Sequence, residues 1–139
     1  MNVVVDTNIA LDLLLFDDPA SRPLADALAA GRLRWLATDA MRAEFERVLG
    51  YPPMLARRER DGRNAAALLG AFDARVVPAE AATRAPCRCA DPDDQIFIDL
   101  AVAHRALLLS KDRAVLAMAR RLALLGVAVR PAISSRAAA

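Results

Sequence analysis

The chain has 139 residues, of which 56% are apolar and 26% charged, a balance typical of one globular domain and not of a disordered chain. Its formal net charge of +2 gives only weak support for a nucleic-acid partner. No apolar run reaches the about 20 residues that a membrane-spanning helix requires. The first residues also lack the basic start of a secretory signal peptide, so we expect a cytoplasmic protein with no membrane partner.

Apolar runs, together with residues that start or stop helices, divide the chain into alternating strands and helices. We predict strands at 3–5, 33–37, 75–77, 107–109 and 127–130. We predict helices at 9–16, 22–30, 39–49, 57–72, 95–106 and 112–125. This alternation predicts a single α/β domain over 1–133, in which helices cover both faces of a parallel sheet of four or five strands. Residues 134–139 are predicted to be a disordered tail.

Few side chains offer thiol or imidazole chemistry. Cys87 and Cys89 are separated by one residue, which is poor geometry for a disulfide, and no further cluster of cysteine or histidine completes a zinc site. We therefore expect two free thiols in a reducing cytoplasm. His104 is the only histidine and lies in an apolar helical run, so we expect a packed side chain rather than a catalytic one.

Acidic residues follow two of the predicted strands. Asp6 stands at the carboxyl end of the first strand, and Asp112 stands just past the end of the fourth. Open parallel sheets bind ligands at this edge, where the strand order reverses. If the two strands are neighbours, both carboxylates point into one crevice.

Two further acids belong to helices. Asp94 begins a helix whose dipole stabilises its charge, although Asp91, Asp93 or Asp94 could simply cap that helix. Glu44 borders the apolar stripe of the third helix and could reach a crevice that this helix walls, although a solvated helix flank is the alternative. Clustered carboxylates repel one another, and the hard cations Mg²⁺ and Mn²⁺ relieve that repulsion. Because the sequence has no Gly-rich phosphate loop, nucleotide hydrolysis of the P-loop type is not expected.

The motifs VVVDTNI, DPDDQIFIDLAVA and LLLSKDRAVL, in this order and with an acid in the third helix, resemble the PIN domains. They are most similar to the branch described as toxins of toxin–antitoxin pairs, related to VapC-type toxins. The resemblance covers nearly the whole chain, from Val3 to about Pro131. It implies a PIN-like sheet in the order 3-2-1-4-5 and a metal-dependent endoribonuclease that cleaves single-stranded RNA. It also implies a homodimer and a small antitoxin protein that blocks the site.

Carried over residue by residue, the resemblance implies four catalytic acids. Asp6, Asp94 and Asp112 would hold Mg²⁺ or Mn²⁺, and Glu44 would bind the metal directly or through water. Asp93 is the alternative for the third acid, but Asp94 and Asp112 keep the interval of 18 residues found in related toxins.

Other positions have supporting roles in the resemblance. Thr7 and Asn8 lie in the turn after the first acid, and Ser110 stands where relatives have a Ser or Thr near the metal. Asp99 falls where many toxins have a small residue, and we predict that it is partly solvated and not a ligand.

Four arginines are candidates for holding the RNA backbone. Arg42 and Arg113 adjoin the predicted site, while Arg57 and Arg58 belong to a basic segment, 57–63, that is predicted to be mobile. Two other functional classes are considered. A phosphate-ester hydrolase of haloacid-dehalogenase type would have a second acid where Asn8 follows the first strand. A non-catalytic RNA- or protein-binding module would not need the full acid set.

Overall fold

The sheet has five parallel strands in the order β3-β2-β1-β4-β5, which confirms the predicted α/β fold and its strand order. The computed structural model describes residues 1–133, and the expected tail at 134–139 lies outside the described residues. The strands are β1 Asn2–Val5, β2 Arg34–Ala37, β3 Val76–Pro78, β4 Leu107–Leu109 and β5 Val129–Arg130. The helices are α1 Thr7–Leu14, α2 Arg22–Ala29, α3 Asp39–Leu49, α4 Pro52–Asp61, α5 Ala65–Arg75, α6 Gln95–His104, α7 Arg113–Leu116 and α8 Ala119–Leu124.

The central strand β1 is an unbroken apolar run, and this explains its buried position. Val3, Val4 and Val5 are at most 3% exposed, and successive side chains of a strand point to opposite faces. Burial of all three therefore requires helices on both faces of the sheet, as in other parallel sheets. Strand β1 pairs with β2 on one side and with β4 on the other, so the strand order reverses beside it.

Two predicted helices are each broken in two. The helix predicted at 57–72 is interrupted at Gly62, which has a left-handed φ of 65° and ends α4. Asn64 then caps α5 by accepting a hydrogen bond from the Ala67 amide at 2.8 Å. The helix predicted at 112–125 tightens at buried Met118, whose amide donates to the Val115 carbonyl, three residues back instead of four.

An aromatic cluster fixes α3 and α5 against the sheet. The ring of Phe72 in α5 stacks on Phe45 of α3 with centroids 5.1 Å apart, and it meets the edge of Trp35 of β2 at 5.0 Å. Phe45 and Trp35 are each 1% exposed. The cluster thus sets the position of Glu44, the neighbour of Phe45 in α3. Within residues 1–133, no helix is both long enough and apolar enough to cross a membrane.

Candidate metal centre

Asp6 is a buried carboxylate at the carboxyl end of the central strand. Its Oδ1 accepts a hydrogen bond from the Ile9 amide at 2.9 Å, so the side chain caps α1, and only 3% of the residue is exposed. Its Oδ2 accepts a hydrogen bond from Ser110 Oγ at 2.5 Å. Burial raises the pKa of Asp6, and the hydrogen bonds from Ser110 and Ile9 oppose that rise.

Ser110 connects the two strands whose ends form the site. Its side chain is fully buried, and Oγ donates to Asp6 while accepting the backbone N–H of Asp112 at 3.0 Å. Asp112 in turn caps α7 by accepting the Ala114 amide at 2.8 Å. One hydroxyl therefore holds the acid after β1 and the segment that carries the acid after β4 in fixed relation.

Glu44 reaches the same edge of the sheet from α3. The hydroxyl of Thr7, in the first turn of α1, donates a hydrogen bond to the Glu44 carboxylate, and both residues are half-buried. Glu44 therefore contacts Thr7, the residue that follows Asp6, and does not lie on a solvated helix flank. The neighbouring Asn8 is exposed, and its side chain makes no hydrogen bond within residues 1–133.

The acids gather most closely at the start of α6. Carboxylate oxygens of Asp91, Asp94 and Asp112 all lie within 4.8 Å of one another. Burial, and then the negative charges of the neighbouring acids, together raise the pKa of Asp94 to about 7; in decreasing order of effect these acids are Asp112, Asp91, Asp6 and Glu44. The charges of Asp6 and Glu44 thus act on Asp94, although neither residue belongs to the group of three within 4.8 Å.

One oxygen of Asp94 indicates which kind of ligand this arrangement suits. Asp94 Oδ2 is buried, and it has no hydrogen-bond partner in the described part of the chain. An unpartnered buried oxygen is unfavourable, and so is a group of unneutralised carboxylates. Carboxylate oxygens are the donors that Mg²⁺ and Mn²⁺ prefer, so the residues present fit a hard divalent cation.

Asp91 is an acid of the site that the sequence did not predict. The sequence indicated only a possible helix cap there, and Asp91 does cap a 3₁₀ turn by accepting the Asp93 amide at 3.0 Å. The structure also brings it into the acidic group with Asp94 and Asp112. Asp93, the alternative third acid, is exposed and lies outside that group.

The basic segment at 57–63 is largely helical, and two of its arginines make internal contacts. Arg57 pairs with Asp61 at 2.7 Å, and its guanidinium lies 5.4 Å from the centre of the Phe16 ring. Arg58 donates to the Leu49 carbonyl at 2.9 Å, at the end of α3. These contacts attach α4 to the helices beside it.

Of the other basic residues near the site, some form ion pairs with acids in the described part of the chain and one does not. Arg42 makes a bidentate ion pair with Asp73, with nitrogen–oxygen distances of 2.7 and 2.9 Å. Lys111 pairs with Asp12. Arg113, the first residue of α7, is exposed, and it forms no ion pair with any residue from 1 to 133.

The remaining expectations concern thiols and imidazole. Cys87 and Cys89 are free, as predicted. His104 is exposed at the end of α6, so the expectation that it is packed was wrong. The apolar run that suggested packing belongs to the buried face of α6, and His104 lies in its last turn on the open side.

A buried aspartate at the end of the central strand, with further acids beside it, defines an α/β protein with a candidate divalent-metal centre. The sequence matches the PIN domain family over residues 2–114, and the chain belongs to that family. PIN domains are generally metal-dependent nucleases, so the family and the acidic group point to the same general activity. No curated protein matches the sequence significantly.

Proposed function

We propose that this PIN domain is a metal-dependent endoribonuclease that cleaves single-stranded RNA, and that it is the toxin of a toxin–antitoxin pair. The observation that carries the proposal is the buried, unpartnered Asp94 Oδ2 within a group of acids at the carboxyl edge of the sheet. A structural role for these acids would provide each oxygen with a donor. A metal site leaves an oxygen free for the cation.

Asp6, Asp94 and Asp112 would hold Mg²⁺ or Mn²⁺, with Glu44 binding directly or through water. When bound, such a cation makes water a stronger nucleophile and offsets negative charge on a phosphate. The protein's own part is to fix the ligands. Asp6 is immobilised by two hydrogen bonds, and its partner Ser110 is fully buried.

Two supporting residues determine which oxygens are available. The Ser110 hydroxyl occupies Asp6 Oδ2, and the Thr7 hydroxyl occupies one oxygen of Glu44. Each hydroxyl orients its carboxylate and, as a donor, favours the charged form that a cation requires. Asn8 is exposed at the start of α1 and is available to the substrate.

RNA phosphates would be bound by arginines around the site. Arg113 is the best placed, because it is exposed, follows Asp112 directly and has no ion-pair partner in the described residues. Arg42 would contact RNA only by giving up its ion pair with Asp73. Arg57 and Arg58 are proposed as weaker contacts, since their guanidinium groups already bind within the protein.

The biological setting is proposed from the resemblance to toxins. A small antitoxin protein would cover the edge of the sheet where the acids lie, and two copies of the chain would form a homodimer. The free thiols of Cys87 and Cys89 support a reducing cytoplasm as the place of action. Expression of the wild type, and not of Asp6→Asn, should then arrest growth.

The test compares wild type with Asp6→Asn in an RNA cleavage assay and in thermal melts, with and without Mg²⁺ or Mn²⁺. Asn keeps the shape of Asp but lacks the charge that a hard cation needs. We expect the variant to lose cleavage and most of the stabilisation by metal, which for a ligand of the folded state is RT ln(1 + [L]/Kd). Asp26→Asn, an exposed acid on α2, is the matched control and should behave as wild type.

Cleavage that persists in EDTA and in Asp6→Asn would contradict the proposed mechanism. RNA binding without cleavage by any variant, and without stabilisation by metal, would instead favour a non-catalytic RNA-binding module.

A further inference from the structure

The loop between β3 and α6 ends at Asp91, which stands among the acids of the candidate metal centre. We propose that Asp91 is a further ligand of the metal, and that Gln95 and Asp99 are positioning residues that hold its loop in place. This inference rests on the proposed metal-dependent function. It adds to that function an acid and two helix residues that the resemblance does not assign to the site.

Gln95 and Asp99 bind the loop backbone at three points. Gln95 Oε1 accepts the Cys89 amide at 2.7 Å, and Gln95 Nε2 donates to the Cys87 carbonyl at 3.0 Å. Asp99 Oδ1 accepts the Ala85 amide at 2.8 Å and also accepts Gln95 Nε2 at 2.9 Å. The two side chains thus bond to one another and to three loop residues, Ala85, Cys87 and Cys89.

The spacing of the two residues explains why one helix can do this. Gln95 and Asp99 are four residues apart in α6, so their side chains lie on the same face, one turn from each other. Loop residues Ala85 and Cys89 are both buried against that face. Asp99 is half-buried, and its carboxylate accepts hydrogen bonds from the loop and from Gln95.

These hydrogen bonds of Gln95 and Asp99, which we call the clamp, leave Asp91 little freedom, because Asp91 follows the fixed Cys89 by two residues. Its capping bond to the Asp93 amide uses Oδ1 alone. Capping does not require a carboxylate to stand within 4.8 Å of two others, since Asn or Ser would cap as well without the repulsion. The buried Asp94 Oδ2, which has no hydrogen-bond partner in the described residues, is a second observation that fits cation binding by these oxygens.

The first experiment measures Mn²⁺ binding by calorimetry to wild type, Asp91→Asn and Asp93→Asn, with no RNA present. Asn retains the capping bond of Asp91 and removes only its charge. We expect Asp91→Asn to lower the affinity by about tenfold or more, the scale on which groups around a metal act. Asp93→Asn makes the same charge change in the same turn, outside the acidic group, and should stay within about twofold of wild type.

Equal affinities of the Asp91→Asn and Asp93→Asn variants would overturn the proposal. If Asp6→Asn abolished Mn²⁺ binding at the same time, the proposed function would stand and only the role of Asp91 would fall. If the wild type did not bind Mn²⁺ at all, both would fall.

The second experiment separates positioning from general stability. Asp99→Ala should weaken Mn²⁺ binding several-fold in the wild-type background, and Asp99→Asn, which keeps an acceptor oxygen, should restore it. In the Asp91→Asn background, Asp99→Ala should have no further effect, because the clamp acts through Asp91. An equal loss of affinity in both backgrounds would show that Asp99 merely stabilises the fold and would overturn its positioning role.

Discussion

Replacing Ser110 with alanine removes the hydroxyl that joins the ends of β1 and β4. The side chain is fully buried, donates to Asp6 and accepts the amide of Asp112. A buried hydrogen bond to a charged partner contributes about 1.5–3 kcal/mol, and an N–H left without an acceptor adds to the cost. Since Asp112 is only half-buried, the cost of its freed amide should be partial, and we expect Ser110→Ala to lower the free energy of unfolding by about 2–3 kcal/mol.

Urea unfolding of the metal-free protein measures this loss. With an m value of about 2 kcal/mol/M, the midpoint should fall by about 1–1.5 M. Ser21→Ala is the matched control, since Ser21 is also buried but its side chain makes no hydrogen bond within residues 1–133, and its midpoint should change by less than about 0.3 M. Equal midpoints for the two variants would refute the reasoning, because the hydroxyl would then contribute nothing beyond its volume.

The metal-free protein should lose stability as pH rises through about 7. The pKa of Asp94 is raised from 3.8 to about 7 by burial and by the neighbouring acids, so between these values the folded state binds a proton that the unfolded chain releases. Melts in EDTA across this range should show the loss in wild type, and a much flatter profile in Asp94→Asn. Separately, Arg113→Ala in an Asp6→Asn background should weaken RNA binding and reduce the slope of log affinity against log salt by about 0.7 for each lost phosphate contact. Fluorescence anisotropy at several salt concentrations tests this, and an unchanged slope would exclude Arg113 as a phosphate contact.

The order and type of the main elements could be predicted because their local patterns agree with the fold. The run at Val3 to Val5 can be satisfied only by burial on both faces, and Thr38 caps α3 where the sequence indicated a start. The break at the buried Met118 could not be predicted, because no Gly or Pro marks it in the sequence. The break at Gly62 did carry a signal, a glycine followed by the good cap Asn64, but the charged run around it suggested one continuous helix.

In the candidate site, the predictable acids were those that follow a strand or border an apolar helix face. Asp6 and Asp112 follow from the strand ends, and Glu44 follows from its place beside Phe45. Asp91 did not follow, because its place depends on the course of a loop without regular structure. That course is set by side chains of α6, and no periodic pattern encodes such a contact.

The bond between Ser110 and Asp6 joins residues that are 104 positions apart in the chain. Strand β1 leaves the ribosome well before its neighbour β4, because most of the domain lies between them in the chain. Closing a loop of this length is costly in entropy. The acids at this edge of the sheet can therefore come together only after nearly the whole domain has been synthesised. A growing chain, or one cut short before residue 110, has its first aspartate but no centre, so any activity of the site appears only with the completed domain.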